Sequence, residues 1–194
     1  MRALPSTVVA VLGVLWLGTR ALADQPIAGA KLLVKDSPDV TKRKVQFASS
    51  DPNVHVSGGV FDFIYVDFQI FNSSGTGESE CWHPAGENWT YAAERPNAGF
   101  KSGSPHPENC TGRINQGLFR IKCTARTFPI TYSLDEPQQG SMGVVVRVQD
   151  TAGITTYCTD FGGTIVRDSA LRHVFIARAA PVPVTCPIPP ASCP

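Results

Sequence analysis

Residues 61–72 read FDFIYVDFQIFN, and this stretch decides the fold class of the chain. Apolar side chains recur along it with a period of two, as they do in a β-strand. One face takes Ile64, Val66, Phe68 and Ile70. The first half is apolar on its other face as well, which is typical of a strand with neighbours on both sides. The stretch therefore predicts a central strand of a β-sheet.

The same period of two recurs on both sides of this stretch. Residues 118–126 alternate apolar side chains with basic or hydroxyl-bearing ones, and residues 142–148 repeat the pattern. Asp150 and Gly153 bracket a predicted hairpin loop. Shorter candidate strands are 31–35, 45–49, 90–92, 130–133, 154–159 and 174–178. Since helical periodicity is missing, we predict an all-β fold: a single, disulfide-bonded antiparallel β-sandwich.

The N-terminal 23 residues have the features of a secretory signal peptide. Arg2 precedes a ten-residue apolar run at 8–17, and Ala21 and Ala23 fit the small-x-small pattern of a cleavage site. The run is too short to cross a bilayer, and no transmembrane segment is predicted in the mature chain. We expect a signal peptide at 1–23, a β-sandwich domain at 24–178 and a Pro-rich tail at 179–194. The expected location is secreted, periplasmic or at the cell surface.

Two other segments are rich in turn-forming residues. Residues 91–109 are polar and contain three prolines, which predicts a long loop. Residues 180–194 read APVPVTCPIPPASCP, and their prolines predict an extended tail outside any central strand.

Charge gives little sign of a nucleic-acid partner. The formal net charge is +1, and the densest basic run is Lys42-Arg43-Lys44. Such a short run predicts a solvated turn between two strands and is too small for a nucleic-acid footprint. No nucleic-acid partner is expected. A glycan or a cell-surface protein remains as a candidate partner, and the sequence does not choose between them.

Six cysteines lie in the predicted mature chain. In an exported protein an even number of cysteines indicates disulfides, and six allow fifteen pairings. Their spacing matches no metal or haem motif, so no metal site and no cofactor are predicted. Our assignment is Cys110–Cys123, which closes a short local loop, together with Cys81–Cys158 and Cys186–Cys193.

The segment 81–101 carries the candidate binding residues. Trp82, Trp89 and Tyr91 fall in a stretch punctuated by proline and glycine, and aromatic anchors dominate binding energy when a loop presents them. The alternative is that the tryptophans are buried in the hydrophobic core, as large aromatic side chains commonly are. Glu78, Glu80 and Glu87 lie near these tryptophans, and paired carboxylates of this kind could serve a glycosidase.

Several stretches resemble a group of uncharacterised exported bacterial β-sandwich-like proteins. They are 31–36 (KLLVKD), 41–45 (TKRKV), 81–89, 133–140 (SLDEPQQG), 157–163 (YCTDFGG) and 179–187 (AAPVPVTCP). Tyr157 opens the Tyr-Cys-x-x-Phe-Gly-Gly motif of the group, and the Cys-Pro terminus begins at Cys186. The resemblance implies an exported β domain and no known activity. Cys193 extends beyond the pattern, which leaves the partner of Cys186 open.

Three functions remain after this reading. The first is an exported non-catalytic β domain with a structural or ligand-binding role. The second is a carbohydrate-binding module that uses the loop aromatics Trp82, Trp89 and Tyr91. The third is a secreted hydrolase whose carboxylates meet only in the folded protein. No catalytic residue is assigned, because no catalytic motif is assembled in the sequence.

Overall fold

A computed structural model describes residues 24–56, 64–75, 77–84, 89–92, 99–102, 110–125, 129–135, 138–150 and 153–193. The predicted signal peptide lies outside them. A 3-10 turn spans Val40–Lys42. The strands are β1 (Gln25–Pro26), β2 (Gly29–Lys35), β3 (Lys44–Ser49), β4 (Tyr65–Asn72), β5 (Ser79–Trp82), β6 (Trp89–Ala92), β7 (Gly99–Ser102), β8 (Cys110–Asn115), β9 (Leu118–Thr124), β10 (Met142–Asp150), β11 (Gly153–Asp160), β12 (Thr164–Ser169) and β13 (Val174–Ala180).

The strands form two sheets, which confirms the all-β prediction. The five-stranded sheet has the order β1-β11-β10-β4-β5, and the eight-stranded sheet has the order β12-β13-β2-β3-β9-β8-β7-β6. Neighbouring strands are antiparallel except β1, which pairs with β11 in parallel. The expectation of a purely antiparallel fold is therefore wrong at this edge. No helix in the described part of the chain is long and apolar enough to cross a membrane.

The facing sides of the two sheets share one core. Val66, Phe68 and Ile70 of β4 are buried on one face, as their alternation predicts. Ring centroids of Phe47, in the eight-stranded sheet, and Phe68 lie 6.1 Å apart. Those of Phe119 and Tyr157 lie 5.9 Å apart, again across the two sheets. Aromatic side chains therefore contribute much of the buried apolar area that holds the sheets together.

The predicted strands differ from the observed ones in several places, and β1, β5, β7, β8 and β12 were not predicted. The strand predicted at 61–72 is found as β4, Tyr65–Asn72, while 61–63 lie outside the described residues. The strand predicted at 130–133 is not formed. The predicted long loop at 91–109 is interrupted by the end of β6 and by β7, which pair as a hairpin. The sequence gives little sign of this hairpin, because each strand is only four residues long and a period of two does not stand out over so short a run.

The basic run at 42–44 is only partly solvated. Lys42 is exposed and lies 2.9 Å from the Asp39 carboxylate. Arg43 is half-buried: its Nη2 lies 2.8 Å from Asp36 Oδ1, and its guanidinium donates to the carbonyl oxygens of Ser37 and Ile130. The prediction of a solvated turn is therefore wrong for Arg43, which ties the turn to the segment that precedes it.

All six cysteines are paired, and two of the three predicted pairings are wrong. Cys110–Cys123 is confirmed, since these residues lie directly opposite each other on β8 and β9. The other bonds are Cys81–Cys193 and Cys158–Cys186, in place of Cys81–Cys158 and Cys186–Cys193.

Sheet register explains this correction. Cys158, Val145, Gln69 and Cys81 form one continuous row across β11, β10, β4 and β5. Strands in a sheet lie about 4.8 Å apart, so Cys158 and Cys81 are separated by roughly 14 Å. A disulfide requires Cα atoms within about 7 Å, which excludes a direct bond.

The Pro-rich tail bridges this row, from Cys186 at one end to Cys193 at the other. Gln69 Nε2 donates to the carbonyl oxygen of Ala191 at 2.7 Å. Phe71 and Val145 are buried beside Cys158 and Cys186 on the outer face of the five-stranded sheet. The tail is thus a strap, residues 186–193, that covers part of this face.

Candidate functional site

Basic side chains line up across the outer face of the eight-stranded sheet. Arg178 of β13 pairs with Lys31 of β2, and Lys31 pairs with Ala48 of β3. Ala48 pairs with Arg120 of β9, which pairs with Arg113 of β8. We call this line of five residues the cationic row. Because paired strands lie about 4.8 Å apart, the row presents a charge at every one or two strand spacings.

A neighbouring row adds further polar and basic groups to the same face. Gln46 of β3 pairs with Lys122 of β9, and Lys122 pairs with Thr111 of β8. At the end of the sheet, Lys35 and Lys44 pair directly between β2 and β3. The face therefore carries positive charge along much of its length.

The two rows enclose a groove of about 600 Å³. Its lining includes Lys31, Gln46, Ala48, Arg113, Arg120 and Lys122. We call it the cationic groove; no carboxylate side chain lines it among the described residues. Ala48 has a short side chain and lies between the longer side chains of Lys31 and Arg120. This shape and charge suit an extended anionic ligand.

The groove keeps its positive charge in the absence of a ligand. Within the described parts of the chain, Lys31, Arg120 and Lys122 form no ion pair with a carboxylate. Arg113 and Arg120 lie directly opposite each other, so two basic residues are adjacent at this point of the row. Lys31, Arg120 and Lys122 offer three cationic groups to an anion, which favours anion binding.

Seven of the described carboxylates accept hydrogen bonds from the backbone. Backbone N–H groups donate to those of Asp36, Asp39, Asp51, Glu78, Glu80, Asp150 and Asp168. These acids fix loops and turns, while many of the bases are displayed on one sheet face.

The predicted binding aromatics do not form an exposed surface. Trp82 is 5% exposed and stacks on Phe68 at 5.3 Å, and Trp89 is fully buried. Trp89 Nε1 donates to the carbonyl oxygen of Pro84 at 3.2 Å. Tyr91 is half-buried against the core. Burial leaves neither indole face open to a ligand, so the structure gives the predicted ligand contacts at Trp82, Trp89 and Tyr91 no support.

The carboxylates predicted for a hydrolase hold a segment of backbone in place. Glu80 Oε1 and Oε2 accept hydrogen bonds from the N–H groups of Thr131 and Tyr132 at 2.9 and 2.7 Å. Glu78 Oε1 accepts from the N–H of Ser133 at 2.6 Å. These contacts explain how residues 131–133 stay extended beside β5 without joining the sheet. Glu87 lies outside the described residues.

Burial raises the pKa of Glu80 above its ordinary value of 4.5, and the hydrogen bonds from Thr131 and Tyr132 oppose this shift. The folded protein therefore keeps the Glu80 proton to a higher pH than the unfolded chain does. It follows that the contribution of Glu80 to stability is fully present below about pH 4.5 and falls as pH rises through the raised pKa.

We expect Glu80→Gln to reduce the free energy of unfolding by about 1–3 kcal/mol. Both oxygens of a protonated carboxyl group can accept a hydrogen bond, whereas the NH2 group of glutamine would face the N–H donor of Thr131 or Tyr132. The deficit of the variant should shrink as pH rises, since only the parent protein loses the Glu80 contribution. Urea unfolding between about pH 4 and 7 measures this. Asp24→Asn, at an exposed carboxylate outside this segment, is the control. A deficit that stays constant over this range would contradict the expectation.

No group of three or more His, Cys, Asp or Glu side chains is placed to hold a metal ion within the described residues. No family model, curated protein or solved structure matches this chain. The cationic groove is therefore interpreted from its own geometry and chemistry.

Proposed function

We propose that this chain is an exported, non-catalytic β domain that binds an acidic polysaccharide along the cationic groove. The observation that carries the proposal is the cationic row, in which Lys31, Arg120 and Arg113 line a groove that has no carboxylate among its described lining residues. Carboxylate or sulfate groups repeated along a polymer would meet successive basic side chains. Guanidinium groups bind such anions through paired hydrogen bonds, which adds direction to the attraction.

The shape of the site favours a polymer chain over a membrane surface. A flat lipid surface is met best by side chains that protrude together, whereas here the short Ala48 side chain lies between Lys31 and Arg120 in the row. A single-stranded nucleic acid would be expected to stack its bases on exposed aromatic rings. The described side chains of this face include no aromatic ring aimed at solvent. An acidic polysaccharide needs neither feature.

Two further points belong to the same proposal. Three disulfides fit an oxidising compartment, as a secreted, periplasmic or surface location requires. The resemblance to exported bacterial β proteins is consistent with this location. We also propose that the two sheets form a β-sandwich, supported by the ring contacts of Phe47 with Phe68 and of Phe119 with Tyr157.

The non-catalytic part of the proposal rests on the roles found for the carboxylates. Glu78 and Glu80, the acids beside Trp82, accept hydrogen bonds from backbone N–H groups. A glycosidase pair needs two carboxyl groups that face a common substrate across a cleft. The observed contacts turn these two side chains toward residues 131–133 instead.

Charge reversal in the groove tests the proposal. We expect Arg120→Glu with Lys122→Glu to weaken binding of polygalacturonate or dextran sulfate about a hundredfold or more, because two charge-assisted contacts worth about 1.5 kcal/mol or more each are lost. Both side chains are exposed, so folding should be retained. Binding of the parent protein should weaken as ionic strength rises, since exposed charges are screened by salt.

The matched control is Lys42→Glu with Arg172→Glu, which makes the same change in net charge at exposed positions away from the groove. This control should bind the two polymers within about threefold of the parent protein. Uncharged dextran should bind to none of the proteins. The proposal fails if the groove variant binds as tightly as the parent protein, or if the control loses as much affinity.

A further inference from the structure

The outer face of the five-stranded sheet has a second small cleft. Tyr65 of β4 pairs with Gln149 of β10, and Gln149 pairs with Ile154 of β11. In the next row, Asp67 of β4 pairs with Arg147 of β10. These five residues line a cleft of about 200 Å³, which we call the Tyr65 cleft.

The strap explains why this part of the sheet remains open. Along β4, Gln69 and Phe71 are buried under or beside the strap, whereas Tyr65 is 61% exposed on the same face of the strand. The row that contains Asp67 and Arg147 lies directly next to the row that the strap crosses. The Tyr65 cleft therefore begins where the covering by residues 186–193 ends.

The side chains of the cleft combine an apolar surface with several kinds of hydrogen-bonding group. Tyr65 and Ile154, which is 52% exposed, offer apolar area. Arg147 offers only donors, Asp67 offers only acceptors, and Gln149 offers both. His83 Nδ1 lies 2.9 Å from Asp67 Oδ1 and fixes the orientation of this carboxylate.

Arg147 is half-buried and lies opposite Asp67, yet it forms no ion pair with a carboxylate among the described residues. Its guanidinium group is thus available to a ligand. The nearby Asp67 carboxylate opposes a purely anionic ligand, and the three polar groups oppose a purely apolar one.

We infer that the Tyr65 cleft binds one pyranose ring of a neutral glycan. The C–H face of a sugar ring packs on an aromatic ring such as Tyr65, and the hydroxyl groups of the sugar both donate and accept hydrogen bonds. Asp67 accepts from one hydroxyl, Arg147 donates to another, and Gln149 can do either. The volume of the Tyr65 cleft is smaller than that of pockets for drug-sized ligands, which is about 300–1,000 Å³. A cleft of this size suits a single sugar ring.

This inference does not depend on the proposed function. The Tyr65 cleft lies on the five-stranded sheet and the cationic groove lies on the eight-stranded sheet, so the two sites share no residue. If both sites bind, one molecule could join an acidic polymer to a neutral glycan.

The test measures binding of three neutral oligosaccharides, cellohexaose, mannohexaose and xylohexaose, to the full mature chain by calorimetry and NMR titration. We expect millimolar or tighter binding of at least one of them. Tyr65→Ala should weaken that binding at least about tenfold, since it removes the stacking surface. Tyr65→Phe keeps the ring and should bind within about threefold of the parent protein. Asp67→Asn, which alters one acceptor and leaves the ring in place, should weaken binding by a smaller factor than Tyr65→Ala.

The variant Arg120→Glu with Lys122→Glu distinguishes binding in the Tyr65 cleft from binding in the cationic groove. It should bind the neutral oligosaccharide as tightly as the parent protein does. Loss of neutral binding in that variant would overturn the inference, because it would move the sugar to the cationic groove. Equal binding by Tyr65→Ala and the parent protein would overturn it, as would the absence of binding to all three oligosaccharides at millimolar concentration. Failure of the acidic polymers to bind would leave these outcomes unchanged.

Discussion

Replacing Cys81 and Cys193 together by alanine is expected to lower the free energy of unfolding by about 4.5 kcal/mol. The reason is that the disulfide closes a long loop and so reduces the conformational entropy of the unfolded chain. The two residues are 112 positions apart in sequence, the largest separation among the three disulfides. Their bond also anchors the end of the strap, so its loss frees the segment that accepts the hydrogen bond from Gln69. Urea unfolding of the parent protein and the double variant under non-reducing conditions measures the difference.

The matched control removes the local disulfide. Cys110 and Cys123 are 13 positions apart and already lie opposite each other in the β8–β9 hairpin. Replacing both by alanine should cost about 3 kcal/mol of loop entropy, with an added cost for the buried volume that the sulfur atoms fill. A loss at Cys81 and Cys193 well below 3 kcal/mol would show that the strap contributes little to closing the fold.

Trp89→Ala is expected to lower the free energy of unfolding by about 3–5 kcal/mol, as large-to-small changes of buried aromatics do. Trp89 is fully buried, and its indole N–H is satisfied by the carbonyl oxygen of Pro84. The control is Tyr65→Ala at an exposed ring, which should change stability by about 0.5 kcal/mol or less. A Trp89→Ala protein as stable as the parent would contradict the observed burial.

The packing of Trp89 can be tested further through Gly112. A Cβ atom added at Gly112 would overlap the six-membered ring of Trp89, so Gly112→Ala should cost about 1–3 kcal/mol in the parent protein. In the Trp89→Ala background the ring is gone, and the same change should cost much less. Unfolding measurements on the four proteins give the coupling energy. Simple additivity would show that the two residues do not contact each other.

The strands with the strongest alternation are the ones that the sequence predicts well. In β4, β9 and β10 every second side chain is apolar, and each of these strands is flanked by two others, so burial on one face leaves a clear period of two. The hairpin between Asp150 and Gly153 follows from its turn residues. Short strands such as β5 and β12 lack this signal. Ser79–Trp82 carries two half-buried polar residues, and Thr164–Ser169 lies at a sheet edge with a bulge.

The candidate sites depend on strand order and register, which a single sequence does not contain. Lys31, Arg113, Arg120 and Arg178 are scattered over the chain and become neighbours only through the pairing of β13, β2, β3, β9 and β8. The alternation at 118–126 did indicate that Arg120 and Lys122 share a solvated face. It could not reveal which other bases lie beside them. The exposure of Tyr65 was not predicted for a related reason. The strap covers Gln69 and Phe71 on the outer face of β4, and its position cannot be derived from the sequence of β4.

The connectivity of the disulfides also determines when each bond can form. Cys193 follows every strand of the described residues, so β6 to β13 are synthesised before the native partner of Cys81 exists. During that interval the Cys81 thiol remains reduced, forms a mixed disulfide with an oxidoreductase, or forms a non-native disulfide that is later exchanged. A polypeptide cut short before Cys193 would retain this unpaired thiol on β5, whereas the folded protein has no free cysteine. Synthesis of the chain as far as Cys193 is therefore the condition for consuming the Cys81 thiol in its native disulfide.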